Sequence, residues 1–173
     1  VFPNEYEEEE MKRRDELFDV KLHDPYMDKN IYKDPTICPS CHLVYHNKRW
    51  HRNEKLYEEL VKSDKVDYKK CPACRKADDH YPLGVLRLTG DYVWKKKDEI
   101  LNLVRNTAEA EEKRNPLARI MSIIETDEGL IIETTTESLA RRLGRCIDKA
   151  HHGELEYIFS DSQKFLRVEW SKS

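Results

Sequence analysis

Two periods of apolar residues run through the second half of this 173-residue chain, and they define its elements. Residues 85–88 read as a strand that ends at Thr89-Gly90. Next, Ile100, Leu103, Val104 and Ala108 share one face of a helix over roughly residues 96–113, stopped by Asn115-Pro116. Two short apolar runs, 120–124 and 130–133, are joined through Asp127-Glu128-Gly129, a hairpin signal in which Gly129 is free to take positive φ. A second helix is expected over residues 137–150. Thr136 is its N-cap, Glu137 its first-turn acid, and Leu139, Leu143, Ile147 and Ala150 its apolar stripe, with Gly153 beyond its end. Period two returns at Leu155, Tyr157 and Phe159, and again at Leu166, Val168 and Trp170, with Asp161-Ser162 turning the chain between them. This order predicts an α+β fold, with a mostly antiparallel sheet covered on one face by two helices.

Upstream of residue 83 the pattern is sparser. Residues 35–82 form a cysteine-bearing module, in which Leu56, Leu60 and Val61 mark a short helix over 55–62. Residues 1–34 are polar, acidic and interrupted at Asp24-Pro25 and Asp34-Pro35, with a run of glutamates at 7–10. So little of this stretch can be buried that it reads as an extended, partly disordered tail, with at most a short helix near 11–18. Three units are therefore expected: tail 1–34, module 35–82 and α+β domain 83–173.

Hydrophobic and charged residues each make up 38% of the chain, so the core is modest and the surface heavily ionised. The net charge of −3 excludes a uniformly basic coat. Its distribution says more, because residues 1–34 hold eleven acids and six bases, whereas residues 35–80 hold seven acids and ten bases. No apolar run approaches the ~20 residues of a membrane span, and no secretory pattern opens the sequence. Five cysteines in such a chain point to a reducing, cytoplasmic setting.

Four of those cysteines carry the chemistry. Cys38-Pro-Ser-Cys41 and Cys71-Pro-Ala-Cys74 are C-x-x-C pairs separated by 29 residues. Two residues between thiols let both sulfurs of a tight turn reach one ion, and two such turns supply a closed tetrahedron of soft ligands. One structural Zn²⁺ is the expected occupant. A rubredoxin-like iron site uses the same ligands, although such knuckles carry Gly after the second cysteine, where this chain has His42 and Arg75. A dithiol redox role suits a single C-x-x-C better than two. A mixed site using His42 or His46 is a further alternative. Cys146 falls beside the stripe of the second helix and reads as a small hydrophobe.

Around these pairs lie Lys48, Arg49, Trp50, His51 and Arg52, then Lys69, Lys70, Arg75, Lys76 and His80. Arg and Lys suit phosphate, while Trp50 either stacks on an unpaired base or packs over the knuckle. Lys95, Lys96 and Lys97 form a second basic patch. Arg141, Arg142, Arg145 and Lys149 form a third, in which 141, 145 and 149 share a helix face as a phosphate track or a solvated surface. No phosphate-cradling glycine loop, nucleophile elbow or H-E-x-x-H is present, and His151-His152 falls at a helix C-terminus, where it complements the dipole. A non-enzymatic binding protein is expected.

Cys71-Pro-Ala-Cys74 followed by Tyr81, Val85 and Leu88-Thr89-Gly90 resembles a segment of the large ribosomal subunit export adaptor family named for nonsense-mediated decay, especially its shorter archaeal relatives. Glu128-Gly129-Leu130, Ala140-Arg141-Arg142-Leu143 and Gly153-Glu154-Leu155 resemble that family's later strand, helix and following glycine, and Trp50 has a counterpart too. The likeness spans roughly residues 36–160. The chain has one pair of C-x-x-C motifs where the family usually has more, and it lacks the family's long C-terminal extensions. The resemblance implies binding to rRNA on the intersubunit face of the large subunit, in ribosome hibernation or assembly rather than nuclear export. A zinc-dependent DNA-binding or protein-interaction adaptor and a metal-thiolate redox protein are the alternatives.

Overall fold

The computed structural model describes residues 24–27 and 31–173. The expected helix near 11–18 lies outside these residues. The cysteine module holds four short strands: β1 (Thr36–Ile37), β2 (Val44–His46), β3 (Arg49–His51) and β4 (Asp67–Tyr68). They pair in the order β3-β2-β1-β4, antiparallel except between β1 and β4. Helix α1 (Glu54–Val61) is capped by Asn53, whose side chain accepts from the Leu56 amide. Helix α2 (Pro72–Asp78) opens at the second cysteine pair.

The β2–β3 hairpin was not foreseen. Its two-residue turn, Asn47-Lys48, has φ of 52° and 63°, the left-handed pair whose twist suits a tight hairpin. Asp34 secures that turn, bonding His46 Nδ1 at 2.8 Å and accepting from the Asn47 amide at 3.0 Å. The His46 bond holds the Asp34 carboxyl below its ordinary range. Behind the hairpin, Trp50 meets Tyr32 edge-on at 4.8 Å and Tyr45 at 5.4 Å, in a small core shared with Leu43, Cys38 and Cys71.

The second sheet contains β5 (Gly84–Thr89), β6 (Ile120–Thr126), β7 (Gly129–Thr134), β8 (Glu154–Phe159) and β9 (Leu166–Ser171). Its order is β6-β7-β5-β9-β8, and only the β5–β9 pair is parallel. In register, Leu86 faces Val168 and Leu88 faces Trp170, and all four are buried. Helices α4 (Lys97–Arg114) and α5 (Glu137–His151) cover that side, led in by a short α3 (Asp91–Lys95). Thr136 caps α5 as expected, accepting from the Leu139 amide at 3.2 Å. Gly144 lets α5 lie close to the sheet, since a Cβ there would sit 2.6 Å from Val168 Cγ1. The α+β architecture read from the apolar pattern is the one found. Among the described residues, no helix is long and apolar enough to cross a membrane.

The expected tail is not separate where it is described. Asp24 is buried, Tyr26 packs against Tyr81 at 5.3 Å and donates to Asp79 Oδ2, and Tyr32 belongs to the module's core. Burial of Tyr32 and of the Asp24 carboxylate paired with Lys76, with Tyr26 half-buried, offsets the chain's polarity at these positions.

His151, at the end of α5, is only 9% exposed, and its Nδ1 lies 2.8 Å from the Tyr92 hydroxyl. Burial pushes its pKa below 6.5, Glu99 opposes, and Lys172, Lys96 and His152 add to the fall. The ring is thus kept neutral rather than serving the helix dipole. A depressed folded-state pKa means that the unfolded chain takes up the proton first, so this residue's contribution is present above about pH 6.5 and is lost as pH falls below it. Thermal melts of wild type and His151→Gln from pH 8 to pH 5 are expected to show the gap between them narrowing on the acid side.

Candidate metal centre

The two C-P-x-C motifs build different turns. At the first, the Cys38 amide donates to Leu43 O at 2.9 Å and the His42 amide to Cys38 O at 3.0 Å, which folds a knuckle between β1 and β2. His42 takes the left-handed conformation there, with φ of 65°, and its ring stacks on Tyr57 of α1 at 4.7 Å. The position where glycine is common is therefore filled by a histidine that a neighbouring ring supports. At the second motif, Cys71 is the N-cap of α2, Pro72 occupies the first helical turn, and Cys71 Sγ accepts from the Cys74 amide at 3.4 Å. Arg75 needs no special backbone because the chain there is already helical.

These turns bring the sulfurs of Cys38, Cys41, Cys71 and Cys74 within 4.8 Å of one another, with Cys41 and Cys71 at 3.6 Å. A tetrahedral ion with metal–sulfur bonds of about 2.3 Å requires sulfurs about 3.8 Å apart, so the donor set fits. It is the one such cluster among the described residues. The thiols are free. His42 and His46 are engaged elsewhere, by Tyr57 and Asp34. An ion held by four thiolates has no open position for substrate, so its chemistry is that of a cross-link.

The thiols also hold one another's protons. Hydrogen bonds from Cys41, Cys71 and Cys74 push the Cys38 thiol well down. Cys41, raised by Cys38 but lowered by Cys71 and Cys74, settles at about 6. Cys71 and Cys74 are pushed up, chiefly by Cys38 and Cys41. At this spacing the four thiols cannot all ionise until a cation arrives.

Arg119, which sequence reasoning passed over, is the second part of the site. Its Nη2 lies 3.2 Å from Cys41 Sγ and 3.9 Å from Cys71 Sγ, and its Nη1 lies 3.5 Å from Cys74 Sγ. Its Nε donates to Pro116 O at 2.9 Å and lies 3.6 Å from Glu112. Burial would lower its pKa, but the sulfurs outweigh this and raise it above the ordinary arginine value. Four thiolates around a divalent ion carry a charge of −2, and this guanidinium offsets half of it. The residue comes from the loop between α4 and β6, so the α+β domain completes the module's centre. That loop is held in turn by the Thr135 hydroxyl, which accepts from the Arg119 amide at 2.8 Å and donates to Leu117 O at 2.6 Å.

The cations expected to meet RNA divide into two groups. Lys76 is corrected: at 2% exposure it is core, its ammonium donating to Asp24 Oδ2 at 2.6 Å and to Thr135 O at 2.9 Å. Desolvation lowers its pKa, against the pull of Asp24. Of the two readings of Trp50, packing over the knuckle is the one found, since only 8% of it is exposed. Arg75 is half-buried and lies over the Tyr26 ring at 5.1 Å. Lys70 pairs with Asp78, Lys96 with Glu99, Lys97 with Glu125 and Arg142 with Glu111. Arg141, Arg145 and Lys149 share a face of α5 on which only Arg141 is half-buried, and Lys95 is exposed on α3.

Lys48 and Arg49 are exposed at the hairpin, with His51 half-buried beside them. Arg52 spans the seam between the two halves, donating to Cys41 O at 2.5 Å and lying 3.9 Å from Glu112. Across that seam the C-terminus of α4 contributes Lys113 and Arg114, which sequence reading had left out of the site. Together they line a cleft of about 930 Å³ with Arg49, His51 and Arg52. No protein-family model matches the chain, and no curated protein is similar enough to it to count as a relative.

Arg119→Met is expected to lower metal affinity by about 10- to 100-fold, as loss of outer-shell partners does, with Arg119→Lys recovering part of it. Competition against a chromophoric chelator measures both. Lys76→Ala strands the Asp24 carboxylate and is expected to cost about 3–5 kcal/mol of stability in urea unfolding.

Proposed function

We propose that the protein is a cytoplasmic, non-enzymatic ribosome-associated factor. In this reading it binds rRNA on the large subunit or its intersubunit face, in a hibernation or assembly role, and Zn²⁺ is the ion at its four cysteines. Zinc suits the site because four thiolates in a closed tetrahedron match its ligand preference. The ion supplies folding energy and rigidity. The chain's own side chains supply the contacts.

The observation that carries this reading is the seam. Exposed Arg49 and Arg52 from a metal-clipped module share a cleft with Lys113 and Arg114 from a helix terminus of the other half, and Lys48 joins Arg49 and Arg114 around the pocket beside it. Basic side chains on two rigid supports suit a phosphate backbone, because their spacing is set before binding. Arg119 and Lys76 lock those supports together, so the spacing depends on the metal as well as on the fold. The large subunit is suggested by the resemblance of residues 36–160 to the export adaptor family.

One observation favours a second reading, a protein-interaction adaptor. Trp94 is exposed at 39% within a basin of about 810 Å³ that is also lined by Asp91, Asp127, Glu128, Glu154 and Glu169. An aromatic ring among carboxylates suits a basic protein segment.

Sucrose-gradient sedimentation of lysate separates the two. The protein is expected to travel with large subunits or whole ribosomes at low salt and to be released as salt rises. If it stays at the top of a low-salt gradient, the ribosomal reading fails. Crosslinking with RNA sequencing then recovers rRNA under the first reading, and a protein partner without rRNA under the second.

A further inference from the structure

Next to the seam cleft, and sharing Arg49, Trp50, Arg114 and Pro116 with it, lies a smaller pocket of about 300 Å³. Its floor is apolar and aromatic: Tyr32, Tyr45 and Trp50, with Met27 and with Leu117 from the loop after α4. Its rim carries Lys48, Arg49 and Arg114, and among the described residues no carboxylate lines it. We propose that this pocket receives one unstacked base of single-stranded RNA, with the flanking phosphates held by Lys48, Arg49 and Arg114. The proposal rests on the RNA-binding reading above and names the subsite within it.

The rim's charge is what selects an anion. Arg114 is 68% exposed, and its nearest carboxylate oxygen, on Glu111, is 4.0 Å away. Lys48 and Arg49 have no ion-pair partner among the described residues and are exposed. Three cations converging with only the distant Glu111 carboxylate against them raise the local potential and draw phosphate. The pocket floor selects what comes with the phosphate. A bare inorganic anion would leave the aromatic edges wet, whereas a planar base covers them, and a cavity of this size is at the lower limit for a small-molecule site.

Duplex RNA does not offer such a base, because its bases are stacked inward and its deep major groove admits no side chain. The neighbouring cleft adds Arg52 and Lys113, with Glu109 and Glu112 also in its wall, so a strand whose base enters the pocket can set its next phosphates on those two cations and is steered away from the glutamates. Trp50 therefore takes part as a fixed portion of the pocket wall, not as a free stacking ring.

Fluorescence anisotropy of the zinc-loaded full chain with a fluorescein-labelled ten-nucleotide single-stranded RNA tests this directly. An abasic strand of equal length keeps every phosphate and removes every base, and it is expected to bind at least tenfold more weakly. Equal binding by the two strands overturns the pocket, as does equal competition by an RNA duplex or a phosphorylated peptide. Arg49→Glu and Arg114→Glu are each expected to weaken the intact strand at least tenfold and to flatten the salt dependence. Lys48→Glu, at an exposed turn, serves where either fails to fold. Ribosome co-sedimentation with no base dependence would sink the subsite and leave the ribosomal reading standing. Base-dependent oligonucleotide binding without co-sedimentation would do the reverse.

Discussion

Four sulfurs within 4.8 Å of one another cannot all be ionised unless positive charge is supplied. That constraint organises the first half of the molecule. The module's strands are two or three residues long, and its helix α1 buries no residue completely, so neither sheet nor helix could hold the fold unaided. A cation at the centre converts mutual repulsion into a cross-link between the β1–β2 knuckle and the start of α2. Arg119 adds the remaining charge from the other domain, and with it a reason for the two halves to stay together.

The same need for charge balance sorts the basic residues. A module rich in Lys and Arg suggests a surface for anions, yet two of its cations have inward tasks. Lys76 neutralises Asp24 in the interior, and Arg75 covers Tyr26. What remains outward is a narrower set at the hairpin, joined by Lys113 and Arg114 from a helix whose last turn favours positive charge in any case. The exposed basic surface at the seam is thus shared by two elements distant in sequence.

Much of the larger domain was legible because its signals are local and periodic. Alternation at Leu166, Val168 and Trp170, the Thr136 cap and the turn at Gly129 each follow from nearest-neighbour geometry, and each is found in place. The cysteine spacing was legible for the same reason. The β2–β3 hairpin was not, because Asn47-Lys48 adopts a turn usually marked by glycine. Arg119 was illegible in kind: nothing around it in sequence differs from a solvated arginine, and its role comes from three sulfurs more than 40 residues away. Lys76 and Asp24 show the same limit, 52 residues apart and invisible to any periodic pattern.

Strand β9, the last in chain order among the described residues, is not at an edge of its sheet. It lies between β5 and β8, and its parallel partner β5 is some eighty residues upstream. The sheet interior therefore has a vacant slot until the final strand arrives, with Leu86 and Leu88 uncovered along one side. During synthesis the domain cannot close progressively from its beginning; closure is a single late event that fills the middle. A nascent chain of this protein keeps Leu86 and Leu88 of β5 exposed until then, and truncation within β9 removes the keystone rather than a fringe.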